Sequence, residues 1–312
     1  MAIHVIRPGM LTTVQDAGRW GYQSRGVPVA GPMDPVSHRL ANALIGNDPG
    51  AATLEITLLG PELEFESERI VAIAGAEFDV TVDERSAPVG AAFVVAAGTR
   101  LRFGARARGS RAYLAISGGV AVPEVLGSRA THVISAMGGI DGRPLRAGDR
   151  LPLGAATGAR AAAPPADRIV PLPDKPARLR VLAGPQRERF AADALDALQS
   201  APYTIAPNSD RMGFRLTGPK LTHAGSADII SDATPLGVLQ VPASGQPILL
   251  MADRQTTGGY PKIATVITAD LPIAGQLGPG DTLLFSVCTP REAMAALIAQ
   301  ERALMALESW RV

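Results

Sequence analysis

The sequence predicts a mainly β protein made of two related β-barrels in tandem, with a few peripheral helices. Three observations predict it. Short apolar runs alternate with turn residues along most of the 312 residues, which include 33 Gly and 26 Pro; that texture belongs to β-rich folds rather than helical bundles. A turn-and-strand unit, Gly-x-x-Leu, recurs as GTRLRF from Gly98, GDRLPL from Gly148 and GDTLLF from Gly280. Gly60-Pro61-Glu62-Leu63 is echoed by Gly218-Pro219-Lys220-Leu221. Gly-x-x-Leu alone is common hairpin chemistry, so the inference of a duplication rests on its repetition. The length suffices for two cores. The stretch AATGARAAAPPADR, 155–168, reads as a flexible linker, which sets the domains at 1–165 and 166–312.

Taken in order, residues 3–6 form a short strand ended by Arg7-Pro8-Gly9. A long polar, Gly-rich loop region follows through residue 34, with Trp20 and Tyr22 set into it. Asp34-Pro35 is a helix start, Asp as N-cap and Pro in the first turn. That helix presents Val36, Leu40, Ala43 and Leu44 on one face and stops at Gly46-Asn47. From residue 53 come TLEITL, ELEFE, RIVAIAG, EFDVTVD, GAAFVVA, TRLRFG and RAYLAIS, read as seven strands with turn glycines at 60, 75, 90, 98 and 109. In the second half RLRVLAG (178–184) is a strand and Gln186–Gln199 a helix. A last helix starts at Thr289-Pro290 and runs to about Trp310, burying Met294, Leu297, Ile298, Leu304 and Leu307.

Composition excludes several functions. Thirty basic and 29 acidic residues leave a net charge of +1 without a basic stripe, which argues against nucleic acid as a partner. The one cysteine, Cys288, permits no internal disulfide and reads as a buried, inert thiol. No secretory start and no run of roughly 18 apolar residues is present, so a cytoplasmic protein without a membrane partner is expected. The sequence has no Gly-x-x-x-x-Gly-Lys-Ser/Thr phosphate loop and no Gly-x-Ser-x-Gly elbow. Histidines 4, 38, 132 and 223 are scattered, so no metal site is expected.

Chemistry concentrates at residues 251–270, MADRQTTGGYPKIATVITAD. Apolar Ile248 to Met251 lead into Asp253-Arg254-Gln255-Thr256-Thr257-Gly258-Gly259-Tyr260-Pro261-Lys262, and a β-branched run follows. Strand, polar turn, strand is the expected form. The paired glycines let the backbone approach another surface, either a ligand or a second chain. The blander alternative is an ordered hairpin whose Asp253 and Arg254 satisfy buried backbone. Upstream, Arg211, Arg215 and Gln240 complete a set suited to a small anionic or amide substrate, because a guanidinium forks onto carboxylate or phosphate and a Lys beside an Asp polarises a carbonyl or moves a proton. The expected catalytic residues are Asp253, Lys262 and Gln255. Substrate contacts are assigned to Arg211, Arg215, Gln240, Arg254, Thr256, Gly258, Gly259 and Tyr260. Asp16, Arg19 and Asp34 are candidates in the N-terminal loop, Asp34 equally well as a cap.

Several blocks resemble one known family: TTVQDAGRWGYQSRGVPVAGPMD (12–34), NALIGND with LEITLLGPELEF (42–65), RAYLAISGG and LGSRATH (111–132), SDRMGFRLTGP (209–219), the long stretch 237–272 and QLGPGD (276–281). They are similar to the KipA family, whose other names are the 5-oxoprolinase C subunit and allophanate hydrolase subunit 2, over nearly the whole chain to about residue 287. One departure is Ala30-Gly31-Pro32-Met33-Asp34, where the family more often has Ser-Gly-Ala-Met-Asp. The resemblance implies two cyclophilin-like barrels, a KipI-like partner (the 5-oxoprolinase B subunit) and a LamB/YcsF-like third partner. It implies ATP-dependent opening of 5-oxo-L-proline to L-glutamate, with ATP held by this chain or a partner. The family's other members imply two alternatives. One is a biotin-dependent carboxyltransferase acting on a urea-like substrate, whose biotin carrier would be a separate chain because no Met-Lys-Met motif occurs here. The other is a KipI-binding regulator of a sporulation kinase.

Overall fold

The computed structural model describes residues 1–156 and 169–308. Residues 157–168, which hold most of the expected linker and the 165/166 boundary, and residues 309–312, with Trp310, lie outside the described residues. The chain divides into two compact units. The first comprises Met1–Arg19, Ala30–Leu172 and the chain from Glu301; the second comprises Trp20–Val29 and Pro173–Gln300.

The first unit is a nine-stranded sheet: β1 (Ala2–Arg7), β2 (Leu11–Gln15), β3 (Thr53–Thr57), β4 (Glu62–Phe65), β5 (Arg69–Val82), β6 (Arg85–Ala87), β7 (Ala92–Val95), β8 (Arg100–Ile116) and β9 (Arg150–Pro152). Its main path runs β2-β3-β8-β4-β1-β9, with β5 against β8 and carrying β6 and β7. Helix α1 (Pro35–Leu44) packs Ala41 and Leu44 against Ala72, Ala74, Tyr113 and Ala115. Asp34 caps it as expected, accepting from the Ser37 backbone N–H at 2.9 Å and from its hydroxyl at 2.6 Å.

Two expectations for this unit are corrected. RIVAIAG and EFDVTVD are one strand, β5, and TRLRFG and RAYLAIS are one strand, β8. Gly75 and Gly109 therefore lie inside strands, with φ of +99° and +73°. The β5–β8 register slips between Gly75 and Glu77 and twice more before Val80. A glycine inside a strand run marks such a bulge as readily as a turn. The N-terminal loop region also opens with a strand, since Leu11–Gln15 pairs with Thr53–Thr57.

The second unit is a closed barrel in the order β10 (Ala177–Ala183), β17 (Lys262–Val266), β14 (Val238–Gln240), β15 (Ile248–Leu250), β12 (Gly213–Thr217), β11 (Tyr203–Ile205), β18 (Thr282–Val287). A two-stranded ribbon, β13 (Asp232–Ala233) with β16 (Thr257–Gly258), stands apart. Short helices α2 (Ala194–Ser200) and α3 (Leu271–Gly275) complete the unit. The final helix, α4 (Pro290–Glu308), has its residues through Gln300 in this unit.

Three more expectations change here. Ile248–Leu250 and Lys262–Val266 do not form a hairpin, because β14 lies between them and pairs with both. The helix expected at Gln186–Gln199 is reduced to a 3-10 turn at Arg187–Arg189 and to α2. Phe190 is extended, its ring 5.0 Å from that of His223, and Ala191 N–H donates to the Thr222 carbonyl, so pairing with residues 222–224 overrides helix propensity. In α4, Leu304 is buried, whereas Met294 and Ile298 are 57% and 44% exposed. The helix start is as read, with Thr289 and Glu292 bonded reciprocally as a capping box.

The repeated turns carry the same job each time. Gly98, Gly148 and Gly280 all have positive φ and donate N–H to the carbonyls of Phe65, Val5 and Ile205, whose own N–H groups donate to the carbonyl after each glycine. The Leu three positions on, Leu101, Leu151 or Leu283, is fully buried. Gly60 and Gly218 each abut an aromatic ring, Phe103 and Tyr203, where a Cβ has no room. Asp34→Ala removes two acceptors from α1 and is expected to cost about 1–2 kcal/mol in chemical denaturation. If the folded protein then keeps its activity, Asp34 acts as a cap.

Candidate functional site

In the second unit, β12, β14 and β15 turn alternate side chains outward into a cleft of about 450 Å³. The pairings Gly213↔Leu250, Arg215↔Ile248 and Gln240↔Ile248 put those residues on the cleft face, where Gln240 and Leu250 are themselves buried, while Phe214, Leu216, Leu239 and Leu249 are buried on the opposite face. Arg215, Gln240, Gln255 and Tyr260 line the cleft with Asp210 and Ser244. An amide chain crosses it. Gln255 Nε2 donates to Gln240 Oε1 at 3.3 Å, and Gln240 Nε2 donates to the Tyr260 carbonyl at 3.4 Å. Tyr260 is 40% exposed at the rim.

The β14–β17 register slips between Leu239 and Gln240, so that Lys262 stands opposite Gln240. Such bulges re-aim side chains beside sites. The Lys262 side chain is 1% exposed, and its Nζ lies 2.8 Å from Asp232 Oδ2. Gln186 joins both partners, its Oε1 accepting from Lys262 N–H at 3.1 Å and its Nε2 donating to Asp232 at 3.2 Å. The hydrogen bond from Lys262 is the main cause that lowers the Asp232 pKa. Neither Asp232 nor Gln186 was anticipated from sequence. They stand 30 and 76 residues from Lys262, and Asp232 carries no motif beyond its place in a polar stretch.

The adjacent glycines lie close to other segments of their own chain. A Cβ on Gly258 would fall 2.5 Å from Gln240 Nε2, and one on Gly259 would fall 3.4 Å from the Ile229 carbonyl. Residues 229–234 lie along 256–259, with Ile229 N–H on the Gly259 carbonyl and Thr234 N–H on that of Thr256. The Thr234 hydroxyl also donates to the Gln255 carbonyl.

Asp253, expected to handle a proton, is instead held by Arg211. Arg211 Nε and Nη2 donate to its two oxygens at 2.9 Å each, and Asp253 N–H donates to the Arg211 carbonyl. Both side chains are about 5% exposed. A carboxylate buried in a bidentate guanidinium pair is poorly placed to exchange protons, so this pair is read as structural. Arg254 donates from Nε to the Thr234 carbonyl at 2.8 Å, and burial lowers its pKa against the charge of Asp253. Arg254 and Thr256 line a second cavity of about 350 Å³, with Trp20, Gln23 and Val29 on the same unit.

The N-terminal candidates lie in the first unit and are also structural in their contacts. Asp16 accepts from Gly18 N–H, the Ser128 hydroxyl and Arg129 N–H. Arg19, wholly buried, donates to the carbonyls of Val125, Ser128 and Ala130. They tie the loop 125–131 in place, and Asp34 caps α1. Near them, buried His38 meets Thr53 Oγ1 at 3.0 Å. Burial lowers its pKa from 6.5 to about 4, opposed by Asp16 and Glu55. Among the described residues, no group of three or more His, Cys, Asp or Glu is placed to hold a metal ion. Also among them, no helix is long and apolar enough to cross a membrane.

The family model described as carboxyltransferase domain, subdomain A and B, matches residues 25–287. The chain is 38% identical to the 5-oxoprolinase C subunit of Escherichia coli over 310 residues, covering 99% of this chain and 98% of that one. It is 35% identical to the 5-oxoprolinase C subunit of Haemophilus influenzae, over 90% and 89%. Among solved structures, the urea amidolyase of Kluyveromyces lactis superposes with a TM-score of 0.91 at 33% identity, covering 98% of this chain and 20% of that one.

Two outcomes are expected. Arg211→Ala strands Asp253 in the interior and should cost about 3–5 kcal/mol in urea unfolding, most of it recovered in an Arg211→Met/Asp253→Leu double variant. His38 is neutral when folded and protonates near 6.5 when unfolded, so its contribution is complete above pH 6.5 and lost as pH falls toward 4. His38→Gln should therefore flatten the acid limb of the stability profile by up to about 3 kcal/mol.

Proposed function

The chain belongs to the carboxyltransferase-domain family, subdomains A and B, and on that premise we propose that it is the C subunit of an ATP-dependent 5-oxoprolinase, opening 5-oxo-L-proline to L-glutamate together with partner subunits. The observation that carries this reading is the amide chain Gln255–Gln240–Tyr260 beside Arg215 in one cleft. A cyclic amide with a carboxylate needs that combination: amides that both donate and accept toward the lactam N–H and C=O, and cations for the carboxylate. Near-complete coverage of two chains named as the C subunit of 5-oxoprolinase supports the same assignment.

The residues divide the work as follows. Gln240 and Gln255 orient the lactam amide. Arg215, Arg254 and Lys262 supply positive charge for the carboxylate and for phosphate. Asp253 serves by fixing Arg211 and is withdrawn from the proton-handling role. A lactam is a poor electrophile, and phosphorylation of its oxygen by ATP makes it a better one. This chain offers no glycine-rich phosphate loop, so the nucleotide is shared with or held by a partner, a LamB/YcsF-like chain or a KipI-like chain. These partners, like a cytoplasmic location, are part of the proposal.

A second reading has its own support. The fit to urea amidolyase at a TM-score of 0.91 favours a biotin-dependent carboxyltransferase, with a separate biotin carrier and a urea-like substrate. One reconstitution separates them. The purified chain is mixed with its two partner subunits, ATP and 5-oxoproline, and glutamate is followed. ATP-dependent glutamate that needs this chain supports the first reading; bicarbonate-dependent carboxylation with a biotin carrier, and no glutamate, supports the second. Within the active complex, Lys262→Met should lower turnover by about 100-fold or more with the fold intact, and wild-type turnover would remove Lys262 from the site.

A further inference from the structure

The second unit holds two cation–carboxylate pairs that differ in one respect. In Arg211–Asp253 both partners are buried and the contact is bidentate. In Lys262–Asp232 the lysine side chain is 1% exposed while the aspartate side chain is 52% exposed. Among the described residues, the one acceptor at Lys262 Nζ is Asp232 Oδ2, although an ammonium carries three N–H donors. A buried cation short of acceptors is costly, and a pair open to water on one side is weak. Because the ammonium is otherwise enclosed, any anion that reaches it arrives from the side Asp232 occupies.

The segment bearing Asp232 is built lightly. Residues 224–233 have no buried member, and Ile230 is 94% exposed. The segment is held by the two-residue ribbon β13–β16, by Ala224 N–H on the Arg189 carbonyl, by Ile229 N–H on the Gly259 carbonyl, by Asp232 itself on Lys262 and Gln186, and at its end by buried Thr234, which bonds to the Thr256 and Gln255 carbonyls and accepts from Arg254. Few apolar contacts and a short ladder mark a segment that opens at low cost. Its ribbon partner Gly258 sits directly against Gln240, so the strap lies beside the amide chain that lines the cleft.

We propose that Asp232 is an internal stand-in for the substrate's carboxylate: an incoming carboxylate takes its place on Lys262, and the strap 224–234 is released. The inference rests on the substrate reading above and deepens it, making Asp232 a specificity-determining residue that competes with substrate. No bond is made or broken; one carboxylate exchanges for another on a fixed ammonium.

Two measurements test it. In the reconstituted complex, Asp232→Asn should lower KM for 5-oxoproline roughly 2- to 5-fold, the range for release of a half-exposed ion pair, with kcat within about 2-fold. Inhibition by 2-pyrrolidinone, the same lactam without a carboxylate, should not change. If Asp232 only positions Lys262, kcat falls and KM does not, and the proposal is overturned. Independently of turnover, hydrogen exchange at the Ile229 and Thr234 amides should speed up when acetate replaces chloride at equal ionic strength, and the acetate effect should vanish in Asp232→Asn and in Lys262→Met. Amides indifferent to acetate in the wild-type chain overturn the exchange, whatever the substrate. An acetate effect in a complex that makes no glutamate keeps the exchange and overturns the substrate reading.

Discussion

The site depends on the position of one three-residue strand. β14 lies between β15 and β17, and its slip in register at Gln240 sets Lys262 opposite that residue. In an unbroken ladder, side chains alternate strictly, and a shift of one residue moves each to the other face. With Leu239 buried in the barrel, the slip is what gathers an amide and an ammonium at the same strand end. Everything else at the site is placed by that strand end. Gln255 reaches Gln240, Gly258 packs on it, and the ribbon brings Asp232 to Lys262.

The polar block 253–262 therefore does three jobs. Asp253 turns inward to Arg211 and fixes the chain as it leaves β15, and Arg254 fastens the Thr234 carbonyl. Gln255 and Tyr260 face the cleft. Thr257 and Gly258 pair with the strap, and Lys262 begins the next wall strand. Charge density in a turn mixes these roles because buried backbone and buried charge need polar partners as much as a substrate does. Arg254 makes the contact of the blander sequence reading, satisfying a buried backbone carbonyl, whereas the Asp253 carboxylate satisfies a buried guanidinium rather than backbone, and the amides line the cleft.

Much of the fold was legible because its signals are local. Gly-x-x-Leu specifies a positive-φ glycine, a carbonyl facing the preceding strand and a leucine in the core, all within four residues, and it works alike at 98, 148 and 280. The cap at Asp34 and the capping box at Thr289 are equally local. What failed were readings that depend on distant partners. Gly75 and Gly109 look like turns until β5 and β8 are seen to pair through them. The segment 186–193 looks helical until residues 222–224 compete for its backbone. Asp232 and Gln186 belong to the same class, since only the tertiary path brings them to Lys262.

The two ion pairs show how burial sorts similar residues into different roles. A guanidinium presents two parallel donors and loses little by being fixed, so the pair of Arg211 with Asp253 can be sealed on both sides. An ammonium is a compact charge with donors pointing three ways, and a single carboxylate leaves two of them unused. Enclosing the lysine but leaving its partner half in water yields an ion pair that solvent reaches from the carboxylate side alone. Gly258 belongs to the same arrangement, because a Cβ there would meet Gln240 Nε2 at 2.5 Å and the Thr234 methyl group at 3.2 Å, crowding both the amide chain and the strap.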